Sequence, residues 1–304
     1  MRNENYMIKM YLENFTKDIT FPFFIQFGTH DEKMIMHSHV DFSELVIILE
    51  GTAVHIVENE RYRISKGDVF VISNDTVHSY ECTEDFHICN IMFRMEEAFP
   101  KLYDIWNLPG FHALFVIEPH ITRDHTFQSR LKLSMPQLES LKEQLTAMLE
   151  EYRMQTEGRK TFLLTSFLMI ALELSRQYNV NPDMYQQQYV HLAYAVSYIK
   201  KHYTEHISIE FLAKQANLSS RQFSRLFREV YHDSPGNYLL HFRIQKAKTL
   251  LYNKLSISET AYQCGFNDSN YFSRQFKRDT GVTPRAFRKD GLLSSIKHFE
   301  WRGP

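Results

Sequence analysis

Four side chains in the N-terminal half have the types and spacing of a metal or small-ligand site. In "MHSHVDFSELVIILEG", residues 36–51, His37 and His39 stand two apart and Glu44 lies five residues beyond His39. His78 comes from a separate segment, "NDTVHSYE". Residues two apart on a strand share a face, so His37 and His39 can act together. Glu44 has the opposite parity, and the intervening "VDFS" must re-aim it. Three imidazoles and a carboxylate could hold a divalent transition metal such as Fe, Mn, Ni or Zn. They could equally hydrogen-bond a polyol or carboxylate ligand, or be satisfied core groups. The expectation carried forward is contact with a small molecule and no cofactor, with the metal as the alternative. His55 and His87 lie on predicted strands and are given no role beyond lining.

A second set of residues has the chemistry of nucleic-acid contact, and it occurs twice. The stretch "ISIEFLAKQANLSSRQFSRLFREVYHDSP" (207–235) repeats as "LSISETAYQCGFNDSNYFSRQFKRDTGVTP" (255–284). Ile209, Ala213, Gln215 and Leu218 match Ile257, Ala261, Gln263 and Phe266 at an offset of 48. After one extra residue, Asn267, Phe223, Ser224, Arg225, Phe227 and Pro235 match Phe272, Ser273, Arg274, Phe276 and Pro284 at an offset of 49. Each copy reads as a short helix, a tight turn and a second helix. Ser256 and Glu259 have capping-box spacing, and Ser219 and Asp268 can cap the second helices. Phe223 and Phe227, like Phe272 and Phe276, stand at i and i+4 and should face the core. That turns Arg221, Ser224, Arg225 and Arg228 outward in one copy, and Ser269, Asn270, Ser273, Arg274 and Lys277 in the other. Arginines and small polar residues on one helical face suit base edges and phosphates in the major groove of double-stranded DNA. A merely solvated face would not explain the repetition. The helix between the copies, 235–251, is about 25 Å long. It could hold the two faces near one DNA turn apart, about 34 Å.

The elements that must position these residues differ between the halves. Residues 22–94 read as short strands, "FFIQF", "LVIIL", "AVHIV", "RYRIS", "DVFVI", "HSYE" and "HICNIMF", punctuated by Gly51, "ENE", "SKGD" and "SNDT". That is the pattern of a β-sandwich or barrel. After Pro136 the apolar period lengthens. Leu138, Leu141, Leu145, Met148 and Tyr152 form one helical seam, and Leu164, Phe167, Leu168, Ala171 and Leu174 another. The two helices form a hairpin, and the first seam is expected to pair with a second copy of the chain rather than cover the barrel. The polar "NVNPDMYQQQ" is the interdomain linker candidate. The division is therefore 1–135 barrel, 136–178 dimerisation hairpin, 179–188 linker, 189–290 helical domain with helix-turn-helix units near 208–230 and 256–280, and 291–304 tail.

Bulk charge supports the split. Residues 1–186 carry 17 Lys and Arg against 27 Asp and Glu, whereas residues 187–304 carry 18 against 9. An acidic half joined to a basic half suggests that one end meets a polyanion. The sequence has no signal-peptide pattern and no run near the length of a membrane span, which argues against a membrane partner. Cys82, Cys89 and Cys264 are odd in number and lack a CxxC pair, so a reduced cytoplasmic setting is expected.

The segments "RIQKAKTLL" and "SISETAYQCGFNDSNYFSRQFKRDTGVTPRAFR" resemble the signature of the AraC/XylS family of bacterial transcription regulators. Arg243, Ile244, Ala247, Leu250, Leu251, Ala261, Gly265, Phe266, Phe272, Phe276, Gly281, Thr283, Pro284 and Arg288 fall in register. The resemblance reaches the N-terminal half more loosely. His37, His39, Glu44 and Gly51 resemble the first cupin motif, and Gly67 with His78 the second. Asp31, Ser73, Asp75 and Cys82 depart from the usual residues of those motifs. The resemblance implies a cupin-type sensor barrel and an all-α domain of seven helices with two helix-turn-helix units. It implies a homodimeric activator that recruits RNA polymerase and answers to a small-molecule effector, a carbohydrate among the candidates. By positional carry-over it places Arg221, Ser224, Arg225, Ser269, Asn270, Ser273 and Arg274 on DNA, and His37, His39, Glu44 and His78 toward the effector. An enzyme is not expected. The alternatives are a metal-dependent cupin enzyme fused to a DNA-binding domain, and a ligand-independent regulator.

Overall fold

The computed structural model describes residues 8–289, apart from 19, 30–34, 58–59, 75, 101–102, 122–130, 179–186 and 254. Asp31 and Asp75, most of the expected linker and the whole tail 291–304 lie outside the described residues. The chain divides into two compact units, Met1–Ala193 and Tyr194–Pro304.

The first unit carries β1 (Ile8–Met10), β2 (Phe23–Thr29), β3 (His37–His39), β4 (Ser43–Val57), β5 (Glu60–Ser65), β6 (Asp68–Ile72), β7 (His78–Phe93) and β8 (Leu131–Lys132). Among the described residues they form one sheet in the order β1-β3-β7-β4-β6-β8, with β2 also on β7 and β5 also on β4. Short turns α1 (Met95–Ala98), α2 (Pro109–Phe111) and α3 (Glu118–Ile121) precede the hairpin of α4 (Met135–Met154) and α5 (Arg159–Gln177).

β4 explains the layering. Its residues Glu44 to Leu49 are all buried, so both faces of the strand are covered. Val46 and Ile48 join Phe70, Ile72, Tyr80 and Ile88 inside the barrel. Leu45, Ile47 and Leu49 join Val69, Val71, Ile91 and Phe93 in a second core that includes Leu138, Leu141, Leu145, Met148, Leu163, Phe167, Ile170 and Leu174 of the hairpin. A strand covered on both faces reads as a continuous apolar run, which is why "LVIIL" shows no alternation.

The sequence pattern placed a break at Gly51. In the structure β4 runs through it, and "HSYE" and "HICNIMF" likewise merge into the single β7. The pairing of β4 with β7 slips at successive steps between Ile48 and Val54. Even-numbered Val46 and Ile48 face the barrel interior before the slip, and odd-numbered Ala53 and Val57 after it. A bulge of this kind re-aims every residue beyond it. Gly51 sits at the bend with φ +75°, and an added Cβ would lie 2.2 Å from the carbonyl oxygens of Glu84 and Asp85.

The hairpin corrects one expectation. Leu138, Leu141, Leu145 and Met148 are at most 4 % exposed, packed into their own chain's barrel core. An apolar face already buried within the chain has nothing left to offer a second copy, so this seam is not the dimer contact. In α5 the deep positions are Leu163, Phe167, Ile170, Ala171 and Leu174, while Leu164 and Leu168 are only partly buried.

In the second unit, α6 (Gln187–Lys201) crosses the division between units and is followed by α7 (Ile209–Gln215), α8 (Ser220–Tyr231), α9 (Pro235–Tyr252), α10 (Ile257–Gln263) and α11 (Ser269–Thr280). A further helical run occupies 284–289. Side-chain caps set the starts of α7 to α11. Ser208 accepts from the Phe211 amide, Ser219 from Gln222, Ser234 from Asn237, Ser256 from Glu259, and Asp268 from both Asn270 and Tyr271. The tight turns of the two copies match as well. Asn217 (φ 52°) and Gly265 (φ 78°), related by the same offset of 48, both adopt the left-handed conformation. A Cβ at Gly265 would approach the Thr204 carbonyl oxygen to 2.7 Å.

Gly51→Ala tests the bulge. It should destabilise the protein by more than about 1 kcal/mol, because both the left-handed backbone and the backbone contacts oppose a Cβ. Denaturant midpoints of wild type and variant would measure this, and equal midpoints would show that β4 does not depend on the bend.

Candidate functional site

Three strands bring the barrel residues together. His37 pairs with His78 across β3 and β7. His39 follows on the same face, and the turn at 40–42 swings Glu44 back so that its Oε2 lies 3.8 Å from His39 Nε2. Glu44 shares the interior-facing parity of Val46 and Ile48 on β4. His37, His39 and His78 each offer a ring nitrogen within 4.8 Å of the others, and Nε2 of His39 is 3.3 Å from Nε2 of His78. His37 Nδ1 lies 3.0 Å from the Ile35 carbonyl oxygen. Nδ1 of His39 and of His78 has no hydrogen-bond partner among the described residues.

The cluster is closed. His37, His39, Glu44 and His78 are at most 3 % exposed. The His39 ring stacks on Phe42 at 4.4 Å, and His37 meets His78 at 4.2 Å between ring centroids. His55 belongs to this group more than the sequence suggested. It is buried, stacked between Phe70 and Tyr80, and meets His78 edge-on at 5.6 Å. The register slip at Gly51 is what turns it inward, which alternation along the strand does not reveal. His87 is exposed and lines nothing there.

Burial dominates the electrostatics. It pushes the Glu44 carboxyl up to about 8. It holds His39 down to about 3, with the nearby His37 adding to the effect. His78 is held well below its ordinary value by burial first, then by His37, His39 and His55. Without an added charge, burial therefore favours neutral His39 and His78 and a protonated Glu44 near neutral pH.

In the second unit the structure turns the expected residues outward. Phe223, Phe227, Phe272 and Phe276 are fully buried, while Arg221, Arg225, Arg228, Asn270, Arg274 and Lys277 are exposed. Ser224, Ser269 and Ser273 are half-buried at the edges of the same faces. Arg221, Ser224, Arg225, Arg228 and Glu229 line a shallow concavity on α8. Arg225 is 76 % exposed and its nearest ion-pair partner is Glu229, 3.7 Å away on the next turn. The Ser273 hydroxyl donates to the Ser269 carbonyl, leaving it an acceptor toward any ligand. Arg278 is also exposed, next to Lys277 in the last turn of α11. It occupies the position of Glu229 in the first copy, and the 49-residue offset was the signal that could have found it.

Not every basic residue of this half faces outward. Arg243 donates to the carbonyls of Tyr203 (2.6 Å) and Glu205 (2.8 Å) and lies over the Phe266 ring. Arg288 donates to the Leu255 carbonyl. These two hold the helices together, so the positive balance of the half overstates its contact surface.

Residues 23–157 match the family model of the AraC-like ligand binding domain, and residues 212–290 match that of a helix-turn-helix domain. The chain belongs to the AraC/XylS family of transcription regulators. It joins the family's ligand-binding domain to its DNA-binding domain. Its curated relatives include the HTH-type transcriptional activator RhaS of Escherichia coli O1:K1 and of strain SMS-3-5. Each is 28 % identical over 258 residues, covering 84 % of this chain and 88 % of the relative. Solved structures similar to it include an AraC-type transcriptional regulator from Chromobacterium violaceum, 30 % identical over 33 % of this chain and 91 % of that one, with a TM-score of 0.32. A variant of ToxT from Vibrio cholerae is 14 % identical over 88 % of this chain and 97 % of that one, with a TM-score of 0.34. Among the described residues no helix is long and apolar enough to cross a membrane.

For this family member the raised Glu44 pKa has a measurable consequence. A carboxyl that holds its proton more tightly when folded contributes fully below the unfolded pKa of 4.5, and that contribution is lost as pH rises toward 8. His39 slopes the other way below 6.5, which isolates Glu44 between 6.5 and 8. Chelator-treated protein should lose stability across that window, and Glu44→Gln should flatten the loss. Parallel melting profiles for the two proteins would remove Glu44 as the cause.

Proposed function

We propose that this regulator is a cytoplasmic, homodimeric transcription activator that recruits RNA polymerase and is governed by a small effector sensed at His37, His39, Glu44 and His78. It acts by binding and not by turnover. The observation that carries the DNA half is the pair of equivalent outward faces on α8 and α11. They are built from Arg221, Ser224, Arg225 and Arg228 and from Ser269, Asn270, Ser273, Arg274 and Lys277. α9 connects them with 18 residues of helix, about 27 Å. Such faces suit two successive major-groove segments. The activator role follows that of the RhaS relatives. Effector binding would shift the population of domain arrangements through differential affinity for them.

With the α4 seam buried in its own barrel, the dimer contact is assigned to the outer face of α5. Phe162 and Met169, seven residues apart on one side of that helix, are 42 % and 53 % exposed. Changing both to glutamate should give a monomer by light scattering at micromolar concentration while the fold persists. A wild-type monomer under the same conditions would remove the dimer.

Arg225→Ala should cost about 1–3 kcal/mol on a specific operator if the guanidinium reads a guanine edge. A loss equal on operator and random duplex would make Arg225 a phosphate contact. Wild-type affinity should fall steeply from 50 to 200 mM salt, by about 0.9 log units per log unit of salt for each phosphate neutralised. Affinity indifferent to salt would contradict a phosphate-dominated interface.

A further inference from the structure

We infer that Glu229 is a specificity-determining residue of α8: it holds the Arg225 guanidinium for a base edge and withholds it from the phosphate backbone. The inference rests on the DNA-binding reading above for the placement of α8 against duplex, and it deepens that reading.

The repeat supplies the first observation. Residues 49 apart occupy equivalent positions in α8 and α11, so position 229 of the first copy corresponds to 278 of the second. The last turns carry Arg228 and Glu229 in one copy and Lys277 and Arg278 in the other, all four exposed. α11 therefore presents Arg274, Lys277 and Arg278, a composition that grips phosphates whatever the sequence. α8 instead puts a carboxylate into the same concavity as Arg221, Arg225 and Arg228. That charge weakens attraction to every duplex alike, which is the sequence-independent part of binding.

Geometry supplies the second. Glu229 stands one turn beyond Arg225, with its Oε1 3.7 Å from Nε. Nε carries one of the five N–H donors of the guanidinium, and the terminal nitrogens carry the other four. A carboxylate on the Nε side leaves those four for a ligand and biases the plane in which they lie. A guanine accepts two parallel bonds at O6 and N7 and requires such a plane. A phosphate oxygen accepts from many directions and gains nothing from the bias.

The pair also responds differently to the two ligands. In water it contributes little. Beneath a bound duplex, water leaves and the attraction between the two charges strengthens as the local dielectric falls. At a guanine edge, which is neutral, Arg225 keeps Glu229 as its counter-charge while the terminal nitrogens read the base. At a phosphate, Glu229 faces a second anion across the same guanidinium and has no hydrogen to offer it. Selectivity of this kind comes from a penalty on the wrong contact as well as from the right one.

The test uses the full-length protein and two duplexes: one selected by the wild-type protein from a randomised library, and a scrambled duplex of equal length and composition. Affinities are compared at one fixed salt concentration. Glu229→Gln should raise affinity for the scrambled duplex and change that for the selected one by less than about threefold, so that the ratio of the two falls about tenfold. Glu229→Asp, which keeps the charge, should retain most of the ratio. Arg278→Gln should weaken both duplexes alike. With Arg225 already replaced by alanine, Glu229→Gln should leave the ratio where it was, because the residue acts through Arg225. Glu229 is exposed, and these changes leave the buried Phe223 and Phe227 untouched. A ratio unchanged by Glu229→Gln, or lowered equally without Arg225, would overturn the inference. If Arg225→Ala weakens the selected duplex while Glu229→Gln leaves the ratio intact, the DNA face stands and only the role of Glu229 falls. If alanine at 221, 225 and 228 together leaves both affinities unchanged, α8 is not a DNA face, and that reading falls together with the inference.

Discussion

β4 is buried on both faces, and most of the first unit follows from that constraint. One face closes the barrel and the other accepts the α4–α5 hairpin. A strand in this position tolerates no polar residue without a partner on either side. Glu44 is nonetheless on its interior face, at the end where β3 supplies His39. The slip at Gly51 then exchanges the two faces, so that His55 reaches the same interior as Glu44 despite its odd number. Filling of the barrel therefore depends on a glycine at position 51, where a Cβ would lie 2.2 Å from the facing carbonyl oxygens of Glu84 and Asp85.

The second unit rests on a different economy. Its helices from α7 to α11 are each started by a side-chain cap, from Ser208 to Asp268. Small cores around Phe223 and Phe227 and around Phe272 and Phe276 orient them. Because those phenylalanines consume one side of α8 and α11, arginine and small polar side chains occupy the other. Arg243 adds a brace through two backbone carbonyls and the Phe266 ring, joining the segment before α7 to the second copy. Positioning of the outward faces of α8 and α11 is thus a matter of local caps and shared packing rather than of long-range pairing.

The two units present opposite electrostatic problems. The exposed face of α8 keeps its cations in water, where Arg225 has Glu229 3.7 Å away and a surface pair of this kind contributes little. The barrel buries its titratable groups, so they resist charging there, and Glu44 and His39 move in opposite directions chiefly through desolvation. A surface that keeps its charges in water and an interior that keeps its groups neutral divide the chain's titratable residues between its two units.

The repeat determined the helical unit from sequence alone. Its caps, buried phenylalanines and outward arginines are local features, written within a few residues of where they act. Strand spacing, also local, put His37 and His39 on one face, whereas Glu44 has the opposite parity and His78 lies in a separate segment, and the turn at 40–42 and the pairing of β3 with β7 bring them together. Only the tertiary structure decided the rest. The bulge at Gly51 changes parity through its contact with Glu84 and Asp85, more than thirty positions away, and it brings His55 to the site. The α4 seam had two apolar surfaces to choose from, and periodicity does not distinguish a barrel of the same chain from a second copy. The structure gives that face to the barrel. Burial, which sets the proton affinities of the cluster and limits what can enter it, is a property of everything packed around a residue and is absent from its local sequence.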